Sequence, residues 1–234
     1  SINALQVYQG ELVAAGNLKI SGAGTSIAKW NGSAWSLLGP GSAIGSGINA
    51  LTVYQNNLIA AGSFTSAGGL PAGGIAAWDG AWKALGTGIE TAKSIKALCV
   101  YNGQLFAGGN FSTIGGVQSL FLGRWTGSQW EATGLPVTSG GITPGVNALT
   151  VFDGQLVVGG DTVIRRINTW DGVAWGSLGQ WIEGAVLRLQ PFRGSLFAGT
   201  EGNYHSTAVG RGIVEYSGGT WKSIGIGLDD VLSS

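Results

Sequence analysis

One histidine, one cysteine and twelve carboxylates bound the chemistry open to this chain of 234 residues. His205 lies in the stretch EGNYHSTAVG, and no nucleophile-elbow wording surrounds it. A Ser–His–Asp relay would have to use it, and a structural zinc site needs more His and Cys than the chain holds. It reads as an exposed loop histidine. Cys99 sits in the apolar run ALCVY and reads as a buried small hydrophobe. As a lone cysteine it excludes an intrachain disulfide. Paired acids are the remaining catalytic option, as in glycosidases. Asp79 and Asp171 fall in W-D-G turns and Asp153 in another turn, where Asp belongs for backbone reasons. Glu90, Glu183 and Asp229 occupy equivalent places between repeated segments. Glu11, Asp161, Glu201 and Glu215 are scattered, and no DxDxDG calcium loop is present. No catalytic residue, cofactor or metal site is assigned.

Aromatic and arginine side chains are better suited to binding than to catalysis. Paired aromatics recur as Trp30/Trp35, Trp78/Trp82, Trp125/Trp130, Trp170/Trp175 and Tyr216/Trp221. One pair could be a stacking platform. Five equivalent pairs read as packing, because large aromatics dominate core energetics. Each is expected to wedge against the next repeat. Residues that break the pattern are the better pointer to a site: Arg165, Arg166, Trp181, Arg188, Tyr204, His205 and Arg211. Trp181 is the tryptophan outside the pairs, Arg188 stands where other copies have Ala, and Arg193 replaces a turn Asn. These seven form the candidate binding patch. The bland reading is drift, with ion pairs to Glu183, Glu201 or Glu215.

Five repeats must position these residues. INALQVY, INALTVY, IKALCVY, VNALTVF and VLRLQPF open them, at residues 2, 48, 95, 146 and 186. LVAAG, LIAAG, LFAGG, LVVGG and LFAGT follow across dipeptide turns, and each copy closes on the aromatic pair. The repeats run 2–47, 48–94, 95–145, 146–185 and 186–230 within one domain spanning 1–234. Each holds four strand-like runs. Turns such as Asn102-Gly103 and Asp153-Gly154 tolerate positive φ at both positions, as a type I′ hairpin requires. Four antiparallel strands per roughly 40–50 residues is the period of a propeller blade. The expected fold is therefore all-β, a five-bladed β-propeller. The AAG, AGG and VGG triplets are assigned to close approach of sheets. Trp78 and Trp82 are separated by three residues and the other pairs by four. A tight Asp-Gly turn in the second repeat and bulged turns elsewhere are expected to keep Trp82 facing as Trp35 does.

An apolar run ending in Gly-Gly, then an aromatic, then a Trp resembles the kelch repeat. Gly108-Gly109 with Trp125 and Trp130, and Gly159-Gly160 with Trp170 and Trp175, carry it best. The tighter wording is similar to kelch-related repeats of bacterial secreted proteins and fungal Rax2 surface proteins. Two departures stand out: the first aromatic is Trp except at Tyr216, and the aromatic spacing is short. The resemblance implies a non-catalytic recognition or adhesion module of a larger extracellular or cell-surface protein.

Composition narrows the partners. Net charge is zero and charged residues make up 10% of the chain, so there is no electrostatic footprint for nucleic acid. No apolar run is long enough for direct membrane insertion. The chain lacks methionine and reads as a processed form or excised domain. Val231-Leu232 offers the start of a sixth first strand, but the expectation is that the first blade closes directly on the fifth, without a swapped strand. The leading expectation is a protein-binding or adhesion module. The alternative is a multivalent lectin using the polar segments GSFTSAGG, GNFSTIGG and GNLKISGAG, and the third is a propeller glycosidase. The partner is a protein or a glycan, and oligomeric state is open.

Overall fold

The computed structural model describes residues 1–20, 23–39, 44, 45, 47–136, 145–161, 167–180, 182, 184–201 and 212–224. Among these there is no helix, and each repeat folds as one four-stranded antiparallel sheet with its strands in chain order. The first sheet is Ile2–Tyr8, Glu11–Ile20, Ala23–Trp30 and Trp35–Leu37. The second is Ile48–Tyr54, Asn57–Gly62, Ile75–Trp78 and Trp82–Ala84, and the third Ile95–Tyr101, Gln104–Gly109, Leu122–Trp125 and Trp130–Ala132. The fourth is Val146–Phe152, Gln155–Gly160, Asn168–Trp170 and Trp175–Ser177. The fifth is Ala185–Phe192, Ser195–Glu201, Gly212–Ser217 and Thr220–Ser223. Two small hairpins, Ser66–Ala67 with Leu70–Pro71 and Thr113–Ile114 with Val117–Gln118, decorate the second and third sheets. The chain divides into two compact units, Ser1–Gly134 with three sheets and Leu135–Ser234 with two.

The turn chemistry explains the hairpins. Asn102-Gly103 and Asp153-Gly154 both have positive φ at each position, 48° and 70°, then 48° and 71°. That is the type I′ geometry, whose twist matches the flanking strands. Gln9, Gln55 and Arg193 adopt the same left-handed conformation in the other copies. The aromatic hairpin differs from expectation. Trp78 pairs with Trp82 as Trp30 does with Trp35, so the faces agree. But the loop is the three-residue Asp79–Ala81, not a two-residue turn, and the longer copies show no register shift at their turns. In the first and fourth copies the side chain at the first loop position takes up the extra residue, whereas the fifth closes on the two-residue turn Gly218-Gly219. Asn31 Oδ1 accepts the N–H groups of Ser33 and Ala34, and Asp171 Oδ1 those of Val173 and Ala174.

Every first strand carries a bulge at its second or third residue. A bulge re-aims one side chain out of the ladder. Asn3, Asn49 and Asn147 sit there and reach the following sheet. Their amide groups donate to the carbonyls of Ile48, Ile95 and Val186 at 2.9, 3.0 and 3.3 Å. The recurring Asn of INAL is thus an inter-sheet tether, a role that its place in an apolar strand did not disclose.

Sheets stack front to back, the front being the face of the aromatic pair. Within the first unit the back of the first sheet (Tyr8, Val13, Ala15, Ile27, Leu38) covers the front of the second (Leu51, Val53, Leu58, Trp78, Trp82). The second covers the third in the same way. In the other unit the fourth covers the fifth. The aromatic pairs of the second, third and fifth sheets therefore wedge against the preceding sheet, not the next as expected. All five pairs have ring centroids 5.2–5.6 Å apart and tilted. The indole N–H of Trp130 donates to the Leu85 carbonyl at 2.8 Å, and that of Trp221 to Leu178 at 2.9 Å. The glycine after each of these leucines leaves room for the ring. A Cβ on Gly86 would stand 3.3 Å from Trp130 Cδ1, and one on Gly179 would stand 3.2 Å from Trp221 Cδ1. Trp82 is buried, but its N–H has no partner.

Candidate functional site

Of the seven candidate patch residues, Arg188 alone lies among the described residues. Arg165, Arg166, Trp181, Tyr204, His205 and Arg211 lie outside them, as do Glu183, Asp229 and Val231-Leu232. Arg188 is exposed on the back of the fifth sheet, and its guanidinium donates to the Leu187 carbonyl at 2.7 Å. Among the described residues no group of three or more His, Cys, Asp and Glu could hold a metal.

A cleft of about 240 Å³ opens in the first unit. One wall is the connection between the second and third strands of the second sheet, with Ser63, Phe64, Thr65 and Pro71. The other is the segment leading to the third sheet, with Thr87, Ile89, Glu90, Thr91 and Lys93. Both walls are irregular backbone held by hydrogen bonds. Gly74 N–H donates to the Phe64 carbonyl at 2.7 Å and Ile89 N–H to Gly73 at 2.8 Å. Ala92, at φ 63°, places a non-glycine residue in the left-handed region just before Lys93. That conformation is uncommon for alanine, and such strain persists only where the surroundings impose it.

Among the described residues Glu90 is the one carboxylate lining the cleft, and it is fully engaged. One oxygen accepts the Ser112 N–H and hydroxyl, and the other the Thr113 N–H and hydroxyl at 3.0 and 2.9 Å. Partial burial pushes its pKa up, but these hydrogen bonds outweigh that and hold it at about 2. Because the folded pKa lies below the unfolded value near 4.5, this stabilisation is present above pH 4.5. It is lost as pH falls through about 2. Glu90→Gln should therefore lower stability at pH 7 by about 1–2 kcal/mol, solvent screening trimming the full effect. The difference from the parent should shrink between pH 4.5 and 2. Urea unfolding at pH 7 and pH 3 checks this, and a gap that widens in acid would refute it.

The polar segment expected to line a lectin site has its hydroxyls and amide engaged within the fold in the third repeat, although Ser112 stays exposed. Ser112 and Thr113 hold Glu90, Asn110 Oδ1 accepts the Ser94 N–H, and the Ser119 hydroxyl donates to Leu122. Other described acids are also committed. Asp79 meets Lys83, which lowers its pKa, and Arg124 does the same to Glu131. Glu11 pairs with Lys29 at 2.8 Å. The backbone N–H groups of Ala174 and Val173 hold the Asp171 carboxyl below the usual range. Cys99 is buried, and burial pushes its thiol up to about 11. Lys93 is the contrast. It is half-buried on the cleft wall and makes no ion pair or hydrogen bond among the described residues. Neither periodicity nor motif singled it out, because an isolated lysine in a connecting segment carries no pattern.

No protein-family model and no curated protein sequence matches the chain. Two solved structures share the fold. One is the extracellular domain of the candidate one-component system BT4673 from B. thetaiotaomicron. It matches with TM-score 0.66 and 13% identity over 95% of this chain and 27% of that one. The other is the extracellular domain of the candidate hybrid two-component system BT4673 from the same organism. It matches with TM-score 0.59 and 8% identity over 92% of this chain and 27% of that one. The chain thus spans about a quarter of their length. At such identities the likeness is one of fold. Both neighbours are extracellular domains, and among the described residues no helix is long and apolar enough to cross a membrane.

Proposed function

We propose that this chain is a non-catalytic recognition or adhesion module of an extracellular protein. Its four-stranded sheets are read as kelch-like blades of a β-propeller, and the cleft beside Lys93 takes an acidic side chain of a protein partner. The observation that carries this reading is the pairing of groups in the cleft. Its carboxylate is spent on Ser112 and Thr113, whereas its ammonium is unspent. A half-buried, unpaired cation in a cleft also lined by Ser63, Thr65, Thr87 and Thr91 offers a charge-assisted contact to an incoming anion. A glycosidase would need a second acid facing Glu90, and among the described residues the cleft lining holds none. The extracellular location of the structural neighbours supports the placement outside the cell.

Arrays of acidic peptides and of neutral and acidic glycans test it. Binding is expected to acidic peptides, weakened about tenfold or more by Lys93→Ala and retained in Lys93→Arg. Binding restricted to glycans would replace this reading with the lectin one. Peptide binding indifferent to Lys93→Ala would remove the cleft from it.

A further inference from the structure

The connection between the second and third main strands has the same build in the second and third repeats. Phe64 and Phe111 are both buried, and their carbonyls accept the N–H groups of Gly74 and Phe121. The carbonyls of Thr65 and Ser112 accept those of Ala72 and Ser119 at 3.0 and 2.9 Å. In the small hairpins that follow, Ser66 stands opposite Pro71 and Thr113 opposite Gln118. The segment entering each first strand bridges its hairpin in the same way, Ile44 to Ala67 and Ile89 to Ile114. This register sets Gly45 where the other copy has Glu90. The Glu90 carboxylate fills its cradle, accepting the Ser112 hydroxyl at 2.8 Å and the Thr113 N–H and hydroxyl at 3.0 and 2.9 Å. Gly45 brings no side chain. Among the described residues no side chain accepts from Thr65 or Ser66, and both are exposed, whereas Thr113 is half-buried. The second repeat thus has the cradle without a carboxylate of its own.

We propose that Thr65 and Ser66 bind a carboxylate from outside the chain, an acidic side chain of the protein partner, in the place that Glu90 fills in the third repeat. In the filled copy each carboxylate oxygen takes one backbone N–H and one hydroxyl. Such charge-assisted hydrogen bonds are about twice as strong as neutral ones. Successive backbone N–H groups held by the loop receive an anion without rearranging. Their preference for the charged form shows in the filled copy, where the Glu90 carboxyl is held at about 2. The identity of the occupant rests on the reading of the partner as an acidic protein. Thr65 also lines the cleft of Lys93, so neighbouring acids of one partner can engage both.

Amide NMR of the whole chain tests this, with a capped pentapeptide carrying one central glutamate as the probe. The Thr65 and Ser66 N–H signals are expected to move downfield and saturate. Those of Ser112 and Thr113, already held by Glu90, should stay still, and a glutamine version of the peptide should move none of them. Thr65→Val with Ser66→Ala, both at exposed positions, removes two of the four donors and should weaken the peptide about tenfold or more. Gly45→Glu should supply the carboxylate from within, as Glu90 does beside Phe111; a Cβ there would stand 3.2 Å from Phe64 Cβ. That variant should show the downfield Thr65 and Ser66 signals without peptide and no longer respond to it. Lys93→Ala should leave the response saturable, which separates failure of the cleft from failure of the cradle. Signals that do not move, that move equally with the glutamine peptide, or that respond undiminished in either cradle variant overturn the proposal. So does acetate saturating at the same concentration as the peptide, since the occupant would then be a free small carboxylate.

Discussion

Trp130→Ala is expected to cost about 3–5 kcal/mol, whereas Trp35→Ala costs under about 1 kcal/mol. The two tryptophans hold the same place in their repeats and pair with their partners in the same geometry, 5.3 and 5.6 Å between centroids. They differ in cover. Trp130 is 2% exposed, and its N–H is spent on the Leu85 carbonyl. Its ring also rests on glycines: a Cβ would stand 2.7 Å from it at Gly115 and 3.3 Å at Gly86 and at Gly123. Glycines have no side chains to swing into the space that truncation leaves, so the cavity would persist and the Leu85 carbonyl would lose its donor. Trp130→Phe keeps most of the volume and should lose about 1–2 kcal/mol. Urea titration followed by far-UV circular dichroism checks the series. Equal losses at Trp130 and Trp35 would show that cover does not separate them.

Gly109→Ala is expected to cost about 3 kcal/mol or more, at the upper end of overpacking effects. Gly109 ends the second strand of the third sheet, where the chain entering the first strand crosses over it. A Cβ there would collide with the Ser94 carbonyl oxygen and stand 2.9 Å from Ile95 Cα. Both obstacles are backbone, and neither can rotate away. The same crossing recurs at Gly62 beneath Gly47 and at Gly160 beneath Gly145, each with a hydrogen bond across it. The last glycine of the AAG, AGG and VGG triplets thus serves the sheet's own chain entry, not only the approach of neighbouring sheets. Gly159 does serve that approach, since a Cβ there would lie 2.6 Å from Val186 of the next sheet. Gly103→Ala, at φ 70° with open space around it, is the control and should cost about 1–2 kcal/mol from conformation alone. A thermal or urea midpoint for Gly109→Ala no lower than that of Gly103→Ala would refute the crossing argument.

The repeat made most of the local structure legible. Asn102-Gly103 announced a type I′ turn because the two residue types tolerate positive φ, and local chemistry alone decides a two-residue turn. Asn49 did not announce its tether, because its acceptor is the Ile95 carbonyl of another sheet, 46 residues away. Ser112 and Thr113 read as an open polar rim because the sequence shows hydroxyls but not the carboxylate that Glu90 brings to them. Lys93 was passed over for the same reason turned round. Its interest lies in having no partner, and partners are fixed only when distant segments meet.

By itself the sequence determined four strands per repeat, the Asn-Gly and Asp-Gly turns between the first two of them and the register that puts each aromatic pair on one face. These depend on side-chain alternation and on backbone preferences that act over a few residues. The tertiary structure decided which of those equal faces is covered. Trp35 and Trp130 are indistinguishable in sequence. One lies 40% open and the other is closed at 2%, because burial belongs to the neighbour that a sheet happens to have.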